Sequence, residues 1–558
     1  MTSFFVLKKK KLHRHRNFIP LGIRGASSWV VLFFTGVLFI IISFSASSSP
    51  IMGAASLQTP LALGVRAGIS QASSFVCNVP FSVEETLLFP TQESVELVMV
   101  PTISASLFVE YGQESGRYTS KTLTKTLSVG EVGKFSITGL NHGKKYYYRV
   151  RCKNETEKRF GARKEHSFYT LRPENQTFSF LYGADSHIYT LWTQATFYNT
   201  TSSEQDYLDS FNLTMGHMLK ESVDFHIISG DWVTVDCPCP GGIYNGETYA
   251  EGASTNQFTS FQRYRQTISP QLYGQVTKDL PFIYVLGNHE GEAGFYPDEM
   301  AFNEQARLSL LPNPFQIYGG NSEGSYYAFE SGDALFIVID VMRYTTVAPQ
   351  EPDDWTLGAE QMAWLNQTLS HSNKKWKFIF AEHLVGGEQA YSILSPYKWY
   401  GRGGLRATLD DLPTGVFKGE QDQIQHLMES YISNGGATFF FSGHDHVAIN
   451  AAEKPTINGV GTRTYMIKGG RVANSGAPWA INPAFKKEMD WDLDGTADYL
   501  EAQGTQKPGY FRITVNGKQS VKFDYVQTDK DNPSVDGTDL FTTTIFSEPK
   551  ISSYAQRI

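Results

Sequence analysis

The hydrophobic and polar positions of this 558-residue chain change their period twice. Residues 29–44 are almost wholly apolar and follow a basic stretch holding Lys8, Lys9, Lys10, Lys11, Arg14, Arg16 and Arg24. That is the pattern of a secretory signal, and small residues stand at 43–47 where a signal peptidase would need them. The run is shorter than the ~20 apolar residues of a membrane-spanning helix, so cleavage is expected over anchoring. Residues 1–50 are therefore read as a signal peptide or, if uncleaved, a signal anchor. From about 82 to 171 the pattern has a period of two, in short runs at 95–100, 105–111 and 133–137 with turn residues between them. This predicts an all-β module.

Beyond Arg172-Pro173, strands alternate with helical stripes, which implies an α/β domain. Leu208, Phe211, Met215, Met218 and Leu219 make one stripe, and Met362, Leu365 and Leu369 a second. Ile424, Leu427, Met428, Tyr431 and Ile432 make a third. These are core positions, and His217 and His426 in the same helices are read as surface or interface histidines. Residues 509–518 and 521–525 read as a β-hairpin about Asn516-Gly517 that adds edge strands. From Asp531 a polar, loosely held tail is expected, so the domains run 75–172, 173–530 and 531–558.

Composition narrows the class. With 41% apolar and 14% aromatic residues the chain is globular, and a net charge of −8 offers no general attraction to nucleic acid or anionic membrane. Of four cysteines none has CxxC spacing. Cys77 and Cys152 form a plausible bridge in an oxidising compartment, while Cys237 and Cys239 either pair locally or stay free. Five glycosylation sequons, at Asn154, Asn175, Asn199, Asn212 and Asn366, agree with the N-terminal signal on a secreted or cell-surface location.

The candidate chemistry lies at strand ends. Residues 178–182 run into Asp185-Ser186-His187, and 223–228 run into Gly230-Asp231. Residues 280–285 lead to Gly287-Asn288-His289-Glu290, 376–381 to Glu382-His383, and 438–442 to Gly443-His444-Asp445-His446. In α/β sheets, sites form at the carboxyl ends of strands, so these five tips should converge. Residues two apart in an extended chain share a side, which would let Asp185 and His187 serve one metal and turn His444 and His446 to one cavity. Carboxylate, amide oxygen and imidazole suit zinc, manganese or iron, with no thiolate in the set.

That ordered set, spanning about 178 to 447, resembles the calcineurin-like metallophosphoesterase superfamily. The resemblance implies a four-layer α-β-β-α sandwich with a dinuclear centre of divalent or trivalent Fe, Zn or Mn. One metal would be held by Asp185, His187, Asp231 and His446, the other by Asp231, Asn288, His383 and His444, with Asp231 bridging. His289 would stand just outside the metals as catalytic neighbour, and Glu290 would orient a ligand from behind. A hydroxide between the metals would attack a phosphate ester in line. Residues 139–150 resemble the corner and following strand of a fibronectin type III domain, where a tyrosine closes back on the turn. A fibronectin-like module before a metal domain is similar to the purple acid phosphatases. Those enzymes carry a tyrosine ligand where this chain has Thr234 and no counterpart of His187, so a non-purple relative is expected.

Two further features stand apart. Residues 490–501 fit a twelve-residue calcium loop, with Asp490, Asp492, Asp494, Asp498 and Glu501 at the ligand positions and Gly495 at the turn. They resemble an EF-hand loop for a structural calcium; an acidic surface turn is the competing reading. The insertion 384–418 carries Tyr397, Trp399, Tyr400, Arg402 and Arg406, of which Tyr400, Arg402 and Arg406 are candidate substrate contacts, or its aromatics simply pack it. A second insertion spans 232–264. A metal-dependent phosphomonoesterase is the first expectation. A phosphodiesterase acting on nucleotides or lipid head groups is the alternative within enzymes, and an inactive surface binding protein the alternative outside them.

Overall fold

The computed structural model describes residues 75–188, 204–235, 243–244, 247–248, 256–314, 319–346, 356–383, 415–433, 435–444, 446–453, 463–473, 488–489, 499–500, 503–505 and 507–548. The N-terminal segment 1–50, Cys237, Cys239, Asn199, the residues Tyr400, Arg402 and Arg406, and the calcium-loop residues Asp490, Asp492, Asp494, Asp498 and Glu501 lie outside the described residues.

The strands with continuous apolar runs become the centre of two large sheets. The first has nine strands in the order Thr538–Phe546, Ser520–Gln527, Gly509–Asn516, Thr177–Ala184, Phe225–Ser229, Phe282–Val285, Phe81–Leu88, Ser94–Pro101 and Gly133–Thr138. The second orders Tyr327–Ser331, Ala334–Val338, Trp376–Phe380, Ala437–Ser442, Thr464–Lys468 and Ala448–Glu453, with short strands beyond. Thr177–Ala184, Phe225–Ser229 and Phe282–Val285 run parallel, as do Ala334–Val338, Trp376–Phe380, Ala437–Ser442 and Thr464–Lys468.

Burial on both faces explains why these strands lack polar alternation. Phe336, Phe378, Phe380, Phe439 and Phe441 join the core that also holds Phe180, Tyr182 and Phe225 of the first sheet. The alternate residues Leu335, Ile337, Ile379 and Phe440 pack instead with Leu365 and Leu369 of helix Gly358–His371 and Ile424 and Met428 of helix Gly415–Ser430. Ring contacts stitch the sheets: Phe180 to Phe336 at 5.2 Å and Tyr182 to Phe441 at 4.9 Å between centroids. Edge-on and offset geometries of this kind add to burial.

The strands between residues 81 and 169 pack around a core that includes Val95, Leu107, Ile137 and Val150. The corner closes where the Asn141 N–H donates to the Tyr146 hydroxyl at 2.9 Å. Cys77 and Cys152 are bridged. Leu88 pairs with Phe282, so three strands of the module extend the first large sheet across the change of pattern at 172/173. His217 bonds Asp536 at 2.8 Å, an interface contact, and His426 faces Ser430 in its own helix at 3.2 Å. Asn175, Asn212 and Asn366 are exposed and Asn154 is half-buried.

Two expectations are corrected. The hairpin Gly509–Asn516 and Ser520–Gln527 does not lie at an edge: it pairs with Thr177–Ala184 on one side and with Thr538–Phe546 on the other. Residues of the expected loose tail thus form the edge strand. Its threonine-rich sequence presents no apolar stripe, and only Phe541 and Ile545 reach the core. Backbone pairing, which composition does not reveal, holds it.

Candidate metal centre

Register brings the tips level. Ala184 stands opposite Ser229, and Ser229 opposite Val285, so Asp185, Asp231 and Asn288 follow from neighbouring strands at one height. In the second sheet Phe380 faces Phe441 and Ser442 faces Lys468, which brings Glu382-His383 beside Gly443-His444. Cross-sheet hydrogen bonds hold the two sets together, from Tyr182 Oη to the Ser442 carbonyl at 2.9 Å and from Ser229 Oγ to the Ala381 carbonyl at 2.7 Å.

Beyond each strand the chain turns sharply. Asp185 (φ 52°), His187 (46°), Asp231 (47°), His444 (66°) and His446 (60°) all adopt left-handed backbone. For residues with a Cβ this costs of order 1–3 kcal/mol each and persists only where surrounding contacts enforce it. The extended-chain argument for Asp185 with His187 and for His444 with His446 is therefore corrected. These side chains meet because the backbone folds back at each of them. The His187 N–H donates to the Asp231 carbonyl at 2.7 Å, and the His444 N–H to Asp185 Oδ1 at 2.9 Å.

Six of the residues expected as ligands come together. His187 Nε2 lies 2.8 Å from His446 Nε2 and 3.5 Å from Asp231 Oδ2, and His446 Nε2 lies 3.3 Å from Asp185 Oδ1. Asp185, His187 and His446 have ligand atoms all within 4.8 Å of one another. His383 and His444 rings are 4.1 Å apart, and Asn288 Oδ1 is buried with no hydrogen-bond partner. His289, expected beside the metals, has a ring nitrogen in one such 4.8 Å group with His187 and Asp231, while its N–H donates to Asp231 Oδ1 at 2.9 Å. Glu290 is fully buried. Its Oε2 accepts from the N–H groups of Asp231 at 3.0 Å and Gly287 at 2.5 Å, and its Oε1 from Val233 at 3.2 Å.

The site also contains residues to which the sequence analysis assigned no part. Glu382 is fully buried, and neither carboxylate oxygen receives a donor. It forms a 4.8 Å group with Asp231 and His444. An acid directly before His383 at the end of an apolar strand was the available signal. Arg471, which bridges to Ala184, puts its guanidinium against His446 Nδ1 and has no sequence neighbour that marks it.

The electrostatics fit cations. Burial holds His187 and His446 well below the usual histidine value, so both rings are neutral and offer a lone pair. Burial raises Asp231 to about 6, with Asp185 adding and His289 opposing. Glu290 and Glu382 are raised further by burial and then by neighbouring carboxylates. Four acids in one buried pocket are stable only with protons or with cations between them. Asp185 Oδ2, His187 Nδ1, Asn288 Oδ1 and both Glu382 oxygens, all without partners, supply suitable donors.

No family model and no curated protein matches the sequence. Solved structures do. A structure of PhoD aligns with a TM-score of 0.58 at 17% identity, covering 85% of this chain and 90% of that one. The purple acid phosphatase PPD1 from yellow lupin (Lupinus luteus) seeds aligns at 0.52 and 14% identity, covering 84% and 74%. At such identities the likeness speaks for the fold, a multidomain and sheet-rich one. Both neighbours share that fold over most of this chain.

Proposed function

We propose that the protein is a metal-dependent hydrolase of phosphate esters, built as a β-sandwich at 75–172 and a four-layer α-β-β-α domain at 173–530. The observation that carries this reading is the convergence of Asp185, His187, Asp231, His383, His444 and His446 at level strand ends next to Asn288, with Asp185 Oδ2, His187 Nδ1 and Asn288 Oδ1 buried and unpartnered. Asp185, His187, Asp231 and His446 would hold one cation of Fe, Zn or Mn, and Asp231, Asn288, His383 and His444 a second. When bound, such a pair withdraws charge from phosphoryl oxygens and acidifies water.

The chain's own residues do the rest. Glu290 fixes the Asp231 turn through three N–H groups, so the shared carboxylate is set before substrate arrives. His289 is half-buried beside His187 and Asp231 and is the residue assigned to protonate the departing oxygen. Asp185, His187, Asp231, His383 and Glu382 are themselves almost wholly buried, which limits bulk water around them. The basic-then-apolar N-terminus and the exposed sequons Asn175, Asn212 and Asn366 support entry into the secretory pathway.

Hydrolysis of p-nitrophenyl phosphate against its bis ester, with and without added metal, tests the assignment. Metal-dependent release from the monoester is expected, and preference for the bis ester would assign a phosphodiesterase. Asp231→Ala should abolish turnover and bound metal together; near-normal turnover would sink the two-metal reading.

A further inference from the structure

Glu382 has no part in the shell just proposed, yet its surroundings are built for it. It is fully buried, one residue before His383; the side chain within hydrogen-bond reach is Asp185, itself an acid, and no N–H group reaches either oxygen. A Cβ on Gly230 would lie 2.2 Å from Glu382 Oε2, one on Gly443 2.5 Å from the same atom, and one on Gly287 2.8 Å from Glu382 Cγ. Three strand tips therefore lack side chains where this acid lies. A packing role would be filled better by an apolar residue, because an unpaired buried carboxylate is strongly penalised. The described groups against it make that penalty worse: Asp185, Asp231 and Glu290 are acids. A carboxylate oxygen of Glu382 lies with Asp231 and His444 in a 4.8 Å group of ligand atoms.

We infer that Glu382 is a further anionic ligand of the cation assigned to Asp231, Asn288, His383 and His444. The inference rests on the two-metal reading and extends it. Three oxygen donors and two imidazoles exceed the four-coordinate, tetrahedral preference of zinc and suit a harder cation of higher coordination number, such as Mn2+. Glu382 would thus narrow the lead that zinc ordinarily holds over manganese at a nitrogen and oxygen site, while Asp185, His187, Asp231 and His446 carry no such extra donor.

Glu382→Gln keeps the volume against the three glycines and removes the charge. Metal content by mass spectrometry after equilibration with Mn2+, Zn2+ or both, and melting temperature with chelator, give the readouts. The expected variant keeps one cation, binds Mn2+ at the other position about 10–100-fold more weakly, and shifts toward zinc in competition. With chelator it should melt above the wild type, since one of four crowded acids is gone. Unchanged Mn2+ affinity and preference would overturn the inference. So would metal loss accompanied by a lower melting temperature in chelator, the behaviour of a packing residue. If Glu382→Gln does not fold, Glu382→Asp decides in the same way: it keeps the charge but shortens the reach, and an unaltered preference refutes the assignment. A wild type that binds no metal would instead refute the two-metal reading, and Asp231→Ala losing metal beside a normal Glu382→Gln would refute this inference alone.

Discussion

Glu290 ties two strand ends together through a single buried side chain. Its carboxylate accepts three backbone N–H groups, from Gly287, Asp231 and Val233, and so ties the third strand end to the second. Each lies in a buried place, where loss is costly. Glu290→Gln turns an acceptor into an N–H facing N–H groups. Metal affinity should fall about 10–100-fold with the fold retained, read by chelator competition and circular dichroism. At this scale the ligand types were legible from the chain: Asn288, His289 and Glu290 in a row after an apolar strand call for a use. Glu382 was not, because its meaning depends on Gly230, Gly287 and Gly443, which lie in three other parts of the sequence.

Among the elements, the level ends of parallel strands do the positioning, and one buried lysine helps hold a helix against them. Lys377 lies in strand Trp376–Phe380, with Nζ donating to the Tyr431 carbonyl and, at 3.1 Å, to Ser433 Oγ. It thereby satisfies groups just past the end of helix Gly415–Ser430. Burial lowers its pKa from 10.5 to about 8. A folded value below the unfolded one means that the unfolded chain holds the extra proton between these limits, so stability rises with pH across that window. Wild type minus Lys377→Met in urea unfolding should therefore grow between about pH 8 and about pH 10, and stay flat below about pH 8. A flat difference throughout would contradict the lowered value. Strand existence was legible from apolar runs. The left-handed turns at Asp185, His187, Asp231, His444 and His446 were not, since no local preference of Asp or His requires them.

For the molecule as a whole, the β module and the sheet that carries Asp185, Asp231 and Asn288 are one hydrogen-bonded surface. Leu88 pairs with Phe282, Arg172 grips Asp224 at 2.6 Å, and the Tyr148 hydroxyl donates to the Lys278 carbonyl at 2.7 Å. The Cys77–Cys152 bridge closes a separation of 75 residues in the module. Cys152→Ser should cost about 2–5 kcal/mol, chiefly by freeing the unfolded chain. Because the sheet is shared, denaturant unfolding followed at the module and at the metal site should move together to lower midpoints. Separate transitions would show that the junction does not couple them.

The sequence by itself determined where strands form and which polar residues stand at their ends. Apolar runs of strand length need burial on both faces, and the polar residues that interrupt them at their ends have no place in a core. Tertiary structure alone decided which of those residues touch, that Thr538–Phe546 closes the sheet, and that Glu382 lies among three glycines. The reason is physical. Residue type and period are properties of a short stretch, whereas register, backbone strain and the company of a buried charge depend on segments far apart in the chain. The same holds at Gly287-Asn288-His289-Glu290: its neighbours along the chain mark it as unusual, and its neighbours in space give each side chain its part.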